Sequence, residues 1–200
     1  MAYMFILASG SPRRKELLQQ IGARFEVLVS EAEEITGDEI APEELVARNA
    51  AAKAQAVAQE HPEMAVLGAD TVVSFKGHTY GKPDSEAGAA AMLRELSGNC
   101  HKVSTGIAWA KDGQTLTATV TTQVEFDELT ETEIRAYIAT GEPLDKAGAY
   151  AIQGRAAAFI KEIKGSFSNV VGLPLNATIR LAEKAGVDLY GNHGERFTDN

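Results

Sequence analysis

The chain has 200 residues, 44% of them hydrophobic and 24% charged, a size that fits one substantial core or two small lobes and excludes three independent domains. Its 19 basic and 28 acidic side chains leave a net charge of −9, which excludes a bulk polyanion-binding role on nucleic acid or an anionic membrane. The single cysteine, Cys100, cannot form an internal disulfide and points to a reducing compartment.

The apolar run Tyr3 to Ala8 predicts a short buried strand, broken by S-G-S-P at 9–12. It is shorter than a signal-peptide core, and Arg13, Arg14 and Lys15 follow it where a secretory signal has its charges in front. No later run approaches the roughly 18 apolar residues of a membrane span, so a cytoplasmic protein is expected. Pro12 suits the first position of a helix capped by Ser11, with Leu17, Leu18 and Ile21 on its apolar face and Gly22 as its stop. Phe25 to Val29 predicts a second strand. No Lys or Arg then occurs before Arg48, while Glu31, Glu33, Glu34, Asp38, Glu39, Glu43 and Glu44 concentrate negative charge.

Pro42 opens an alanine-rich helix to about Gln59. Ala65 to Ala69 predicts a buried strand ending on Asp70, with Thr71 to Phe75 continuing in β-forming residues towards a turn at Gly77. A helix from about Ser85 to Gly98 carries Met92, Leu93 and Leu96. Lys102–Ala110 and Thr115–Phe126 flank K-D-G and predict an antiparallel hairpin, its alternating Thr115, Thr117, Thr119 and Thr121 marking a face at least partly solvated. Thr130 and Glu133 form a capping box for a helix that Gly141 closes. A loop at 141–150 leads to a strand pair expected from Ala149–Ile152 and Ala158–Ile163, and Pro174 starts a last helix to Ala185 before a polar tail from about Gly191. Such a mixture predicts an α/β protein with a mixed twisted sheet, flanking helices and two lobes around a cleft.

Four places fit poorly with structure alone. Arg13, Arg14 and Lys15 load cations onto a helix N-terminus, where the macrodipole favours anions. A bound anion held by free backbone N–H groups explains this, as does a solvated basic helix start; the small residues Ser9, Gly10 and Ser11 favour the anion, although the loop is not a Walker A sequence. Asp70 stands at a strand end, where either a ligand site or a turn aspartate is usual, and Lys53 and Lys82 (in G-K-P) are candidate partners or ordinary surface cations. D-K-A-G-A-Y-A-I-Q-G at 145–154 reads as a loop approached closely by some object or as a tight turn, and the Gln153 amide has the donor and acceptor needed to read a nucleobase edge. G-S-F-S-N-V-V-G-L-P at 165–174 is either a second anion-friendly helix start or a connection. His61, His78, His101 and His193 show no metal-ligand spacing, and no nucleophile elbow occurs.

Taken together, L-A-S-G-S-P-R-R-K-E-L-L at 7–18, N-A-A-A-K-A at 49–54, L-G-A-D-T-V-V at 67–73, G-K-P at 81–83, L-S-G at 96–98, D-K-A-G-A-Y-A-I-Q-G and N-V-V-G-L-P-L at 169–175 resemble the ordered motifs of the Maf family of nucleoside triphosphate pyrophosphatases. The resemblance implies a single Maf-like domain over 1–200, with a fold similar to inosine triphosphate pyrophosphatases. It also implies metal-dependent hydrolysis of a nucleoside triphosphate to monophosphate and pyrophosphate, keeping non-standard nucleotides out of nucleic acids. Asp70 matches the family's proton acceptor; Ser9, Arg13, Arg14, Lys53 and Lys82 match its phosphate-side positions; Glu34, rather than Glu33, and Asp70 match its metal side. The combination of Arg13, Thr71 and Gln153 looks like the branch acting on dTTP and UTP. A divalent cation (Mg, Mn or Co) and a homodimer are further implications, with no nucleic-acid or membrane partner. A nucleotide-binding regulator of cell division and a phosphomonoesterase are the competing expectations.

Overall fold

The apolar opening forms β1 (Phe5–Leu7), buried on both faces at the parallel end of a seven-stranded mixed sheet, in a computed structural model that describes residues 4–190. The Tyr3 start of the expected strand and the polar tail from Gly191 lie outside the described residues. The strand order is β2-β1-β3-β5-β6-β7, with β2 at Phe25–Val27, β3 at Ala65–Phe75, β5 at Cys100–Lys111, β6 at Gln114–Phe126 and β7 at Ile160–Lys164. β1 pairs in parallel with β2 and β3, and the remaining pairings are antiparallel. The short β4 (His78–Tyr80), not expected from the sequence, folds back on the end of β3 through Lys76 and Gly77, which both have positive φ.

Helices cover both faces. On one, α1 (Pro12–Gln20) and α6 (Leu175–Lys184) bury Leu17, Leu18 and Leu181 against Phe5, Leu7, Leu67 and Trp109, and the indole nitrogen of Trp109 donates to the Thr178 carbonyl at 3.1 Å. On the other, α2 (Pro42–Glu60) lays Ala50, Ala54 and Val57 on Ile6, Val66 and Ala108. A second core lies beside these layers, where α3 (Glu86–Leu96) and α4 (Glu131–Ile138) pack Leu93, Leu96, Ile134 and Tyr137 on Val73, Val103, Val124 and Phe126. The Thr130–Glu133 capping box opens α4, and Gly141 follows it at φ 73°.

The contact of α2 with the sheet is unusually close, and two glycines permit it. A Cβ at Gly68 would overlap the Ala50 carbonyl oxygen, and one at Gly106 would overlap the Val46 carbonyl oxygen. Side chains of a strand alternate between faces, so Gly68, Asp70 and Val72 share the α2 face, and the pairing Asp70↔Gly106 puts Asp70 directly opposite the second glycine. Asn49 and Lys53, one helical turn apart on α2, are thereby lowered onto Asp70.

Some elements differ from the sequence expectation. β3 runs unbroken through Asp70, so this residue is mid-strand; what ends nearby is β1, whose last pairing with β3 is Leu7↔Leu67. The strand pair expected from Ala149–Ile152 and Ala158–Ile163 does not form. Ala149, at φ 60°, closes a 3-10 turn (Ala147–Ala149), Arg155–Phe159 is also 3-10, and β7 pairs with β6 instead. The apolar alternation there reflects burial of Ala149, Ala151, Ile152 and Ala156 without a ladder. A short α5 (Phe167–Val171), N-capped by Ser166, interrupts the predicted loop before α6. The threonine face of β6 is partly covered by α2, since Thr119 donates to the Glu43 carbonyl and Gln55 to Thr115.

Candidate active site

Where β1 stops, the edge of β3 stays open until β4 pairs with Val73–Phe75, and a cavity of about 850 Å³ fills this gap. Open sheets bind ligands outside the carboxyl ends of parallel strands, and β1 supplies such an end. Because the gap exposes both faces of β3, Asp70 on the α2 side and Thr71 on the α1 side line one cavity. It also gathers Ser9, Arg13, Arg14, Glu34, Lys53, Lys82 and Gln153, residues more than a hundred positions apart in the chain.

Asp70 is 8% exposed, and each of its oxygens has a donor: Asn49 Nδ2 to Oδ2 at 2.9 Å and Lys53 Nζ to Oδ1 at 2.8 Å. Lys53 also pairs with Glu34 at 2.7 Å, so its ammonium bridges the two carboxylates. Glu34 lies on an irregular segment fastened at two points. Asn49 Oδ1 accepts from the Ile35 N–H at 2.8 Å, and Asn49 Nδ2 donates to the Ile35 carbonyl at 3.0 Å. Farther along, Asp38 accepts from the Thr79 hydroxyl and N–H, both at 2.7 Å, and from His78 at 3.0 Å, bonds that hold its carboxyl down at about 2. Asn49 received no role from the sequence, although it stands four residues before Lys53 in the N-A-A-A-K-A motif, the spacing of one helix face.

Arg14 is 9% exposed and tied by three bonds: Nε to the Gly172 carbonyl at 2.9 Å, Nη1 to Ser9 at 2.9 Å and Nη2 to the Thr71 hydroxyl at 3.1 Å. Burial lowers its guanidinium from the ordinary arginine range, and the Asp70 carboxylate opposes that. Thr71 has one hydroxyl proton, which either the Thr105 hydroxyl at 2.9 Å or the Gly172 carbonyl at 3.4 Å takes up, while Thr105 itself reaches the Asn169 carbonyl at 3.2 Å. Thr71 therefore supports Arg14 with its oxygen and has no free donor for a base. Arg13 is looser, its only ionic contact among the described residues being Asp145 at 3.8 Å. Burial works to raise the Asp145 carboxyl, but its bond to Lys146 and the charges of Lys146 and Arg13 hold it below its ordinary value. Lys146 lines the cavity as well, a cation to which the sequence assigned no role. The Ser11 side chain, expected as the cap of α1, makes no cap bond there, and Ser11, Pro12 and Arg13 line the cavity.

The donor set at Glu34 and Asp70 fits a hard divalent cation held jointly with a ligand: two carboxylates reach one point, and no third acidic, His or Cys group joins them among the described residues. Magnesium-class ions take one or two carboxylates and complete their shell with water and phosphate oxygens.

A family model described as "Maf-like protein" matches residues 4–185. The chain belongs to the Maf family. Among its relatives, the "dTTP/UTP pyrophosphatase" of Geobacillus sp. (strain WCH70) is 53% identical over 182 residues, covering 90% of this chain and 97% of the relative. A protein of the same name from Bacillus cereus (strain ZK / E33L) is 48% identical over 184 residues, covering 92% and 96%. The structure of the Staphylococcus aureus Ham1 protein superimposes with a TM-score of 0.53 at 15% identity, over 90% of this chain and 98% of that one, and shares the fold of this Maf chain. Among the described residues no helix is long and apolar enough to cross a membrane.

Proposed function

We propose that this chain is a metal-dependent nucleoside triphosphate pyrophosphatase that hydrolyses dTTP, UTP and pyrimidine nucleotides with modified bases to the monophosphate and pyrophosphate, acting in the cytoplasm as a homodimer without nucleic-acid partners. The observation that carries this reading is the Asn49–Asp70–Lys53–Glu34 constellation, set in one cavity with the uncapped start of α1. The names of the Bacillus and Geobacillus relatives supply the substrate class.

Transfer of this kind needs little covalent chemistry from a protein, so positioning and charge complementarity carry catalysis. The N–H groups of α1, with Ser9, Arg13, Lys82 and Lys146, receive the β- and γ-phosphates. Arg14, immobilised by Gly172 and Thr71, fixes the register of that helix end. Asp70 orients a water towards the α-phosphorus and takes its proton as the bond to the bridging oxygen breaks and pyrophosphate leaves. Glu34 and Asp70 would hold a divalent cation, which when bound would supply neutralisation of charge at the α-phosphate. Lys53 gives up its bridge between the two carboxylates and turns to phosphate oxygen. Gln153 reads the base.

The test is a nucleotide panel with Mg²⁺, Mn²⁺ or Co²⁺, assayed for pyrophosphate. Release from dTTP and UTP, with Asp70→Asn losing about 100-fold or more in turnover while still binding nucleotide, is the expected result. Orthophosphate as first product, or full turnover by Asp70→Asn, refutes the proposal.

A further inference from the structure

Gln153 is the tip of a turn, Ala151–Gly154, closed by the Gly154 N–H donating to the Ala151 carbonyl at 3.0 Å. Its side chain is exposed to the cavity, and its amide makes no hydrogen bond among the described residues. An exposed, unpartnered glutamine discriminates bases only if the backbone beneath it is fixed, because a free amide re-aims to suit any edge.

The turn is gripped on both sides. On the near side the Ala151 N–H donates to the Tyr137 hydroxyl at 3.1 Å. Farther along, the Arg155 N–H donates to the Glu142 carboxylate, at 3.0 Å to Oε1 and 3.2 Å to Oε2. The grips are joined, since Tyr137 donates its own proton to Glu142 Oε1 at 2.8 Å. Gly154 lies so close to that carboxylate that a Cβ would overlap it, so a glycine is needed for the carboxylate to reach the chain. The left-handed Gly141, φ 73°, turns the chain after α4 and brings Glu142 back beside Tyr137. Tyr137 is 3% exposed and anchored by an edge-on contact with Phe159, centroids 5.3 Å apart, so the grip rests on the second core. Burial and the bond to Glu142 push the phenol above its ordinary range, keeping it a donor.

We propose that Tyr137 and Glu142 are positioning residues for base selection: they hold the 151–155 turn so that Gln153 presents its amide at a fixed angle to the nucleobase. Neither lines the cavity, so they act through the turn they hold, of which Ala151, Ile152 and Gln153 line it. The inference rests on the reading of Gln153 as the base-reading residue.

The test uses Tyr137→Phe, which keeps the ring, Glu142→Ala, the milder Glu142→Gln, Gln153→Ala and the Gln153→Ala/Glu142→Ala pair. For each, the ratio of kcat/KM for dTTP to that for GTP reports base selection, and competitive inhibition by inorganic tripolyphosphate, which has no base, reports the phosphate half of the site. Tyr137→Phe and Glu142→Ala are expected to lower the ratio on the order of 5- to 20-fold, the worth of one misaligned hydrogen bond, and to leave tripolyphosphate inhibition within about twofold. The double variant should be no less selective than Gln153→Ala alone, since both changes remove one interaction. If Gln153→Ala erodes selectivity while Tyr137→Phe and both Glu142 variants preserve it, the positioning role is overturned and the reading of Gln153 stands. An unchanged ratio in Gln153→Ala overturns both. Parallel loss of selectivity and tripolyphosphate inhibition makes the pair an ordinary buttress of the cavity and likewise overturns the inference. Should Glu142→Ala not fold, Tyr137→Phe and Glu142→Gln decide the matter by the same two readouts.

Discussion

One amide joins the two acidic halves of the site: Asn49 Nδ2 donates to Asp70 Oδ2 at 2.9 Å while the same side chain completes both hydrogen bonds of the Ile35 peptide, the residue next to Glu34. Asn49 is 2% exposed, so its own amide finds its partners within the protein. The distance between Glu34 and Asp70 is therefore set by α2 and not by the loop that carries Glu34.

Replacing Asn49 with Ala strands the Ile35 N–H and carbonyl and one oxygen of Asp70. Stability is expected to fall by about 2–3 kcal/mol, the usual result of leaving buried polar groups unpaired. Turnover should drop on the order of 100-fold, because the reacting groups lose their register. Urea unfolding and pyrophosphate release measure the two effects. Full turnover in a destabilised Asn49→Ala protein would restrict the amide to a structural role.

Gly106 tests the same geometry from beneath. It does not line the cavity, yet an added methyl would drive the Val46 carbonyl, and α2 with it, away from the sheet. Gly106→Ala should cost about 1–3 kcal/mol as overpacking and lower kcat/KM as well, since Asn49 and Lys53 retreat from Asp70. An equal stability loss with unchanged kcat/KM would show that the close approach serves packing only.

Much of this was legible in the sequence because it is local. The capping box at Thr130, the Pro starts of α1 and α2 and the hairpin turn at Asp112–Gly113 depend on neighbouring residues, and each forms as its residue types dictate, although Ser11 makes no cap bond. Motif order further marked the residues that line the cavity. What stayed hidden depends on contacts across the chain. Asp70 looked like a strand end because its own charge interrupts the apolar run, whereas the antiparallel partner β5 continues the ladder past it to Ser74↔Lys102. Ala149–Ile152 looked like a strand because its residues are buried, but the positive φ of Gly148 and Ala149 turns the chain away from any ladder. The partners of Glu142 are a phenol five residues before it and an N–H thirteen after it, and neither has a sequence signature.

Arg14 and Lys are not interchangeable here. Arg14 holds Gly172, Ser9 and Thr71 with separate nitrogens of one planar fork, which a single ammonium cannot reproduce. Arg14→Lys should keep the charge yet cost roughly 1–3 kcal/mol in stability and lower kcat/KM about 10- to 100-fold. Arg13→Lys, at a position with one long contact, should leave stability within about 0.5 kcal/mol. Thermal unfolding of both variants separates the tethered arginine from the one with a single long contact, and equal losses would contradict this division.

His101 gives the fold a pH dependence of its own. It is 1% exposed, with Nε2 2.8 Å from the Tyr150 hydroxyl and Nδ1 without a hydrogen-bond partner among the described residues, and burial pushes it down to about 4 from an ordinary value of 6.5. The folded-state value is the depressed one, so between these limits the unfolded chain binds a proton that the folded chain refuses. The contribution of this histidine is complete above pH 6.5 and declines as the pH falls towards 4, by up to roughly 3 kcal/mol. The informative quantity is a difference: unfolding free energies of the parent and of His101→Phe, measured from pH 8 to pH 4, should show the parent losing stability relative to the phenylalanine variant on acidification. Parallel pH curves for the two proteins would mean that His101 accepts its proton in the folded state near its ordinary value, and that the contacts with Tyr150 and Phe126 do not keep it neutral.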